Sequence, residues 1–234
     1  MPTLDRRAAL RAALVDATRA IIRERGLQGV KARDVAAGAG CALGAIYQAF
    51  PDLDALVLAA NEVTLEAIEA HLSAFACPDA AGLARPDDPP ELLRFLTLAF
   101  GYLDFAAGHR ALWRALFEHR MAHGGDVPRE FSERLARLFL VVEDPLQGLR
   151  PELQDEDRAR LARTLFSAVH GVVVLGLEEK LASLPAEALR LQLGLLVGAL
   201  VRGLAAGPDA PRSHVSRAPR VPSRQRPSRK PTRR

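Results

Sequence analysis

Apolar residues recur at helical spacing from the start of the chain. Leu10, Leu14, Ala17, Ile21 and Ile22 share one face of a helix predicted over 4–25. Gly26 follows, a residue suited to the left-handed conformation that ends a helix. Two short helices are predicted next, over 32–37 and 42–50, separated by the small-residue run "GAGC". Asp52, beside Pro51, is placed to cap a long fourth helix. Its apolar face is Leu53, Leu56, Val57, Ala60, Val63, Ala67 and Ile68. After the Pro/Gly/Asp-rich break "CPDAAGLARPDDPP" come helical patterns over 90–107, 110–123, 128–148, 156–182 and 185–206. No alternation of strand type is long enough to use, so the expected class is all-α.

The remaining residues, 207–234, are rich in Pro, Ser and Arg and offer no face for a core, which predicts a disordered basic tail. Charge sharpens that boundary. After Asp209 there are nine Arg/Lys and no acid; residues 61–207 hold 15 cations and 21 acids; residues 1–60 hold eight and six. Composition is otherwise ordinary for a soluble globular protein, 49% apolar and 26% charged. The longest apolar runs, "AVHGVVVLGL" and "LGLLVGALV", fall short of the roughly 20 residues of a membrane helix, and the N-terminus lacks a secretory h-region. Cys41 and Cys77 form neither a disulfide framework nor a metal-ligand spacing. A cytoplasmic protein without a membrane segment, metal or cofactor is expected.

A short helix, a glycine-containing turn and a second short helix make a helix-turn-helix. In that arrangement the second helix enters the DNA major groove with its N-terminal residues at the base edges. The charge-free stretch "GAGCALGAIYQAF" fits such a helix: Ala42, Leu43, Gly44 and Ala45 let the backbone approach closely. Tyr47 can offer a hydroxyl to a phosphate and Gln48 can read an adenine edge. Lys31 and Arg33, at the start of the preceding helix, are placed for phosphates. Val35, Ala36, Ile46 and Phe50 are expected to form the core of this unit with Leu14 and Ile21.

The segment "VKARDVAAGAGCALGAIYQAFPDLDAL" resembles the DNA-binding segment of the tetracycline-repressor (TetR) family of bacterial transcriptional regulators. The residues that carry the resemblance are Asp34-Val35-Ala36, Ala39-Gly40, Gly44, Tyr47, Phe50 and Leu56. Two departures stand out. The family usually has lysine where this chain has Leu53, and Ser or Thr where it has Ala42. Each change removes a potential phosphate contact, which weakens binding to all sequences similarly.

Nine of the twelve aromatic residues fall between Phe95 and Phe166. Space between the helices of a bundle is where a small-molecule site is usually built. The expected ligand-binding residues are Phe95, Tyr102, Trp113, Phe117, Phe139, Phe166 and His170; for any one of them taken singly core is the simpler reading, and it is the group that points to a site. "LWRALF" and "FSAVHGVVVLGLEEKL" resemble the regulatory domain of a TetR subgroup named for a tryptophan and a His-Gly pair, here Trp113, His170 and Gly171. That resemblance implies an effector-binding, dimerising domain whose ligand varies between members. It also implies that the last two helices meet a symmetry mate as a four-helix bundle. Leu189, Leu193, Leu196 and Leu200 are the expected interface, with Gly194 and Gly198 allowing close approach; burial within the monomer is the competing reading.

The expectation is therefore a homodimeric regulator, most simply a repressor, that binds a palindromic operator in double-stranded DNA and is released by a small-molecule effector of unknown identity. Its domains would be residues 1–66 for DNA and 90–206 for effector and dimer, with the tail beyond them. The alternative is a dimeric small-molecule-binding scaffold with a degenerate helix-turn-helix. Catalysis is not expected: there is no Gly-rich phosphate loop or nucleophile elbow. "EHRMAH" sets His119 and His123 one turn apart but has no third ligand, and a solvated helix end is the simpler reading.

Overall fold

The computed structural model describes residues 2–121, 128–178 and 185–207. Among these residues the structure is helical, without strands. The helices are α1 (Pro2–Arg25), α2 (Ala32–Gly38), α3 (Leu43–Ala49), α4 (Leu53–Ala74), α5 (Glu91–Gly108), α6 (Arg110–Glu118), α7 (Arg129–Leu149), α8 (Asp155–Leu177) and α9 (Ala186–Ala205). The tail expected at 207–234 lies outside the described residues except for Gly207.

The head is α1–α3 with the start of α4. α1 ends where expected, at Gly26, whose φ of 71° places it in the left-handed region. Between α2 and α3, Gly40 has φ 65° and makes the turn. Asp52 caps α4, its carboxylate accepting from the Ala55 amide at 2.7 Å. Leu14, Ile21, Val35, Ala36, Ile46, Phe50 and Leu56 close into one buried core, the set expected from the sequence plus the α4 residue that ties the head to the bundle. Each large apolar side chain buried here stabilises the fold by about 1.5–3 kcal/mol.

α5 is the axis of the second unit. It is buried on nearly every turn, from Leu92 to Ala106, as a helix surrounded by others must be. Around it stand α4, α6, α7, α8 and α9, and their apolar faces make the larger core. A third, small cluster sits at the junction: Ile22 of α1 packs on Leu112 and Ala115 of α6.

Two boundaries differ from expectation, for polar reasons. α6 stops at Glu118, and His119 turns into extended conformation with its Nε2 3.2 Å from Asp54 Oδ1 on α4. His119 is thus nearly buried against the head side of α4, which corrects the reading of a solvated helix end; His123 lies outside the described residues. α8 stops at Leu177, whose carbonyl accepts from Arg110, and Glu178 pairs with Arg114 at 3.3 Å.

α8 and α9, at 23 and 20 residues, are also long and apolar enough by length and composition to cross a membrane, which the separate apolar runs did not suggest. One face of each packs on α5 or its neighbours, through Ala162, Leu165 and Val173 of α8 and Leu189, Leu193, Val197 and Val201 of α9. Much of the rest stays uncovered by the chain itself. Leu175, Leu191 and Leu195 are exposed.

Candidate DNA-reading edge and ligand cavity

The recognition helix α3 sits on the head core through Ile46 and Ala49. Those two inward positions fix which side faces out. Tyr47 is 56% exposed and Gln48 is exposed beside it, while Ala42, Leu43 and Gly44 line the exposed N-terminal end and Ala45 is half-buried. Nothing in the protein approaches the point where a side chain would leave Gly44. Lys31 and Arg33 are exposed at the start of α2. Seven of the eight residues expected at DNA are thus exposed on α2, α3 and the residue before each, and the eighth, Ala45, is half-buried. Ala42 gives α3 no side-chain cap, and Leu53 is half-buried against the head core, so both departures from the family pattern are real losses of polar groups at this edge.

Sequence periodicity missed the arginines of α1. Arg7 donates to the Gln48 carbonyl at 3.5 Å, and Arg11 donates to the Ala49 carbonyl while its guanidinium lies 4.0 Å over the Phe50 ring. The last carbonyls of α3 have no partners within the helix, and a cation there is favoured by the helix dipole. Arg7 and Arg11 therefore hold the recognition helix from behind. The only signal in the sequence was their placement a turn apart in a helix already assigned. Arg19 ties α1 to the middle of α4, donating to the Ala60 carbonyl at 3.1 Å and to Thr64 Oγ1 at 2.7 Å.

In the second unit a cavity of about 190 Å³ opens between α4, α5, α6, α7, α8 and α9. Five of the seven expected ligand-binding residues line it: Phe95, Tyr102, Phe117, Phe139 and Phe166. Phe131 is a further aromatic on the wall, and the rest is aliphatic, including Leu65, Ile68 and Leu72 of α4 and Val197, Leu200 and Val201 of α9. Phe166 is the hub of the aromatic side, edge-on to Tyr102 at 5.4 Å and to Phe139 at 5.2 Å.

Trp113 and His170 are corrected: neither lines the cavity. They stand behind the wall and hold Tyr102. Trp113 Nε1 donates to the Tyr102 hydroxyl at 2.8 Å, and that hydroxyl lies 2.8 Å from His170 Nδ1. Burial lowers the His170 pKa and raises that of Tyr102, so the ring is neutral and the phenol protonated near neutral pH. With the phenol as donor, the His170 proton sits on Nε2. A hydrogen-bonded triad thus spans α5, α6 and α8, and the tryptophan and histidine that looked like ligand contacts are its ends.

The expected dimer residues are corrected too. Leu189 and Leu193 are 2% and 0% exposed within the chain; Leu196 and Leu200 are half-buried, and Leu200 lines the cavity. The glycines turn inward with them. A Cβ on Gly194 would come within 2.7 Å of Leu83 Cδ1, and one on Gly198 within 2.7 Å of an Arg202 guanidinium nitrogen. That guanidinium grips Asp88 through two bonds, Nε to Oδ1 at 2.6 Å and a terminal nitrogen to Oδ2 at 2.8 Å, and holds the Asp88 pKa down at about 2. The apolar period of α9 is as expected; the side of the helix that meets the monomer core is not.

With this geometry in view, residues 14–60 match a family model described as bacterial regulatory proteins, tetR family, and residues 95–196 match one described as tetracyclin repressor-like, C-terminal domain. The chain belongs to the TetR family. It is a transcriptional regulator, with the helix-turn-helix head of the family joined to a helical C-terminal domain. Solved structures share the fold. A protein of unknown function from Rhodococcus sp. RHA1 is 23% identical at a TM-score of 0.62, over 84% of this chain and 95% of that one. A TetR transcriptional regulator from Rhodococcus sp. RHA1 is 15% identical at a TM-score of 0.56, over 83% and 96%. RolR in complex with resorcinol is 21% identical at a TM-score of 0.53, over 88% and 97%. No curated protein matches the chain.

Proposed function

We propose that this TetR-family protein is a homodimeric repressor that binds a palindromic operator in double-stranded DNA and lets go when a small molecule occupies the cavity between α4 and α9. One observation carries the coupling: α4 is a single uninterrupted helix that belongs to both sites. Leu56 sits in the head core, and Leu65, Ile68 and Leu72 form cavity wall. The 12 residues from Leu56 to Ile68 span about 18 Å. A ligand that displaces the wall therefore displaces the base of the head. α6 gives a second connection, with Leu116 and Phe117 on the cavity and Leu112 and Ala115 against Ile22 of α1.

The dimer surface in this reading is the uncovered outer side of α8 and α9, around Leu175, Leu191, Leu195 and the edge of Leu196. A self-complementary apolar patch of this kind is closed by a two-fold axis. That cover also accounts for the apolarity of both helices without a bilayer, since Asp155, Glu156, Asp157, Arg158, Arg160 and Arg163 crowd the first turns of α8. Two heads related by the axis would meet two half-sites about one helical turn of DNA apart. Tyr47 and Gln48 would face the groove, flanked by phosphate contacts from Lys31 and Arg33. Repression would be steric and the location cytoplasmic, where the DNA is. Residues 1–66 would form the DNA unit and 90–206 the effector and dimer unit, with the tail adding sequence-independent attraction.

The test is fluorescence anisotropy with DNA flanking the protein's own gene. Salt-sensitive, sequence-selective binding is expected near physiological salt, and its absence would leave the dimeric scaffold as the better description. Linkage adds a second requirement: operator must weaken effector binding by the factor by which effector weakens operator.

A further inference from the structure

We propose that the ligand of this cavity is a neutral, hydrocarbon-like molecule the size of one aromatic ring with a short alkyl arm, bound without a hydrogen bond. The proposal rests on the reading of the cavity as the effector site and goes on to the chemistry that site selects. Every lining residue but one has a wholly apolar side chain, and none is charged. The exception, Tyr102, has its polar end engaged. Its hydroxyl bonds to Trp113 and His170, both outside the wall, so its contribution to the lining is its aromatic ring.

Size is set by volume. Apolar cavities of about 150 Å³ stay dry and take up benzene. At about 190 Å³ this one has room for a ring and one or two further carbons. Shape agrees, because Phe166 and Phe139 meet edge to face, leaving aromatic faces and edges for a further ring to pack on. Charge is selected against. A carboxylate brought here loses its water and finds no cation, and a hydroxyl loses its water and finds no acceptor. An apolar ligand forfeits nothing polar and gains the whole buried area.

The test uses three probes with one skeleton: ethylbenzene, 2-phenylethanol and phenylacetate. Trp113 is the sole tryptophan and lies 5.7 Å from Phe117 on the wall, so its emission reports occupancy in the full-length protein. Thermal shift serves as a second readout. At pH 7.5 ethylbenzene is expected to bind saturably and raise Tm, 2-phenylethanol to bind about tenfold more weakly, and phenylacetate at least about a hundredfold more weakly. Filling the cavity with Val169→Phe, and separately with Leu138→Phe, should abolish the ethylbenzene signal in whichever variants fold. Phenylacetate or 2-phenylethanol binding as tightly as ethylbenzene would overturn the proposal. So would no ethylbenzene binding, or binding that survives both substitutions. Operator release is scored apart from this. Ethylbenzene that binds yet leaves operator affinity unchanged sinks the release mechanism and spares the ligand chemistry. Phenylacetate that frees operator does the reverse.

Discussion

The head and the bundle are built from the same residue types to opposite ends. In the head, α1–α3 and the start of α4 close around Leu14, Ile46 and Leu56, each fully buried. In the bundle, six helices surround a core that leaves about 190 Å³ among its aromatic residues. A filled core fixes one orientation of the reading edge. An unfilled one keeps capacity for a guest and gives up packing energy to do so, because atoms lining a gap lack partners on one side. Rigidity is therefore concentrated where DNA is met, and tolerance where the effector is expected.

Substitutions that change volume should separate the two regions most strongly. Ile46→Ala empties part of the filled core and is expected to cost about 2–5 kcal/mol in chemical denaturation, with DNA binding lost alongside. Val169→Phe adds volume to the unfilled core and is expected to leave stability unchanged or raise it by about 0.5–2 kcal/mol. A loss of several kcal/mol from Val169→Phe would mean that the bundle is packed as tightly as the head, and the contrast would collapse.

The second-largest effect should come from the polar group behind the cavity wall. Tyr102→Phe keeps the ring that faces the cavity and deletes the hydroxyl, leaving the buried Trp113 Nε1 and the half-buried His170 Nδ1 without that partner. The expected cost is about 1–3 kcal/mol in the same denaturation measurement. If the triad acts only on position, the variant should still bind ethylbenzene, with a changed Trp113 emission. By comparison, Asp52→Ala removes the one side-chain cap seen on α4 and should cost about 1 kcal/mol, read as a drop in Tm.

The head was legible from sequence and much of the bundle was not, for a physical reason. Short-range rules decide the head: Gly26 and Gly40 can turn, Asp52 can cap, and an apolar period of one face suffices because each small helix has a single neighbouring core. In α9, apolar residues occur on two sides, and periodicity alone does not say which side faces the monomer. Leu189 and Leu193 went in and Leu191 and Leu195 stayed out, decided by Leu83 and Phe100 fitting against Gly194, contacts distant in sequence. Trp113 and His170 mislead similarly. Their residue types suggest ligand contact, and only the placement of Tyr102 between them shows that they bond to the protein.

The smallest effect is the most selective, because imidazoles are absent from α1–α3. The first histidine in the chain is His71, so α1–α3 carry none. In the bundle, His170 faces Tyr102 of α5, Trp113 and Phe117 of α6 and Phe166 of its own helix; of these only the phenol is titratable, and it stays protonated. Burial lowers the His170 pKa below its ordinary value of about 6.5. The sign comes from proton counting. Above about pH 6.5 both folded and unfolded chains hold His170 neutral, and the full stability is present. As pH falls below that, the unfolded chain takes up a proton that the folded one refuses, so stability drops until the folded pKa is passed. Hydrogen exchange at pH 7.5 and 5.5 should therefore show protection falling in α5 and α8 after correction for intrinsic rates, and His170→Gln should shrink that fall. Protection in α1–α3 that falls as steeply as in α8 would show the two regions opening as one unit, and the distinction between a rigid reader and a pliant receiver would then hold for packing but not for energy.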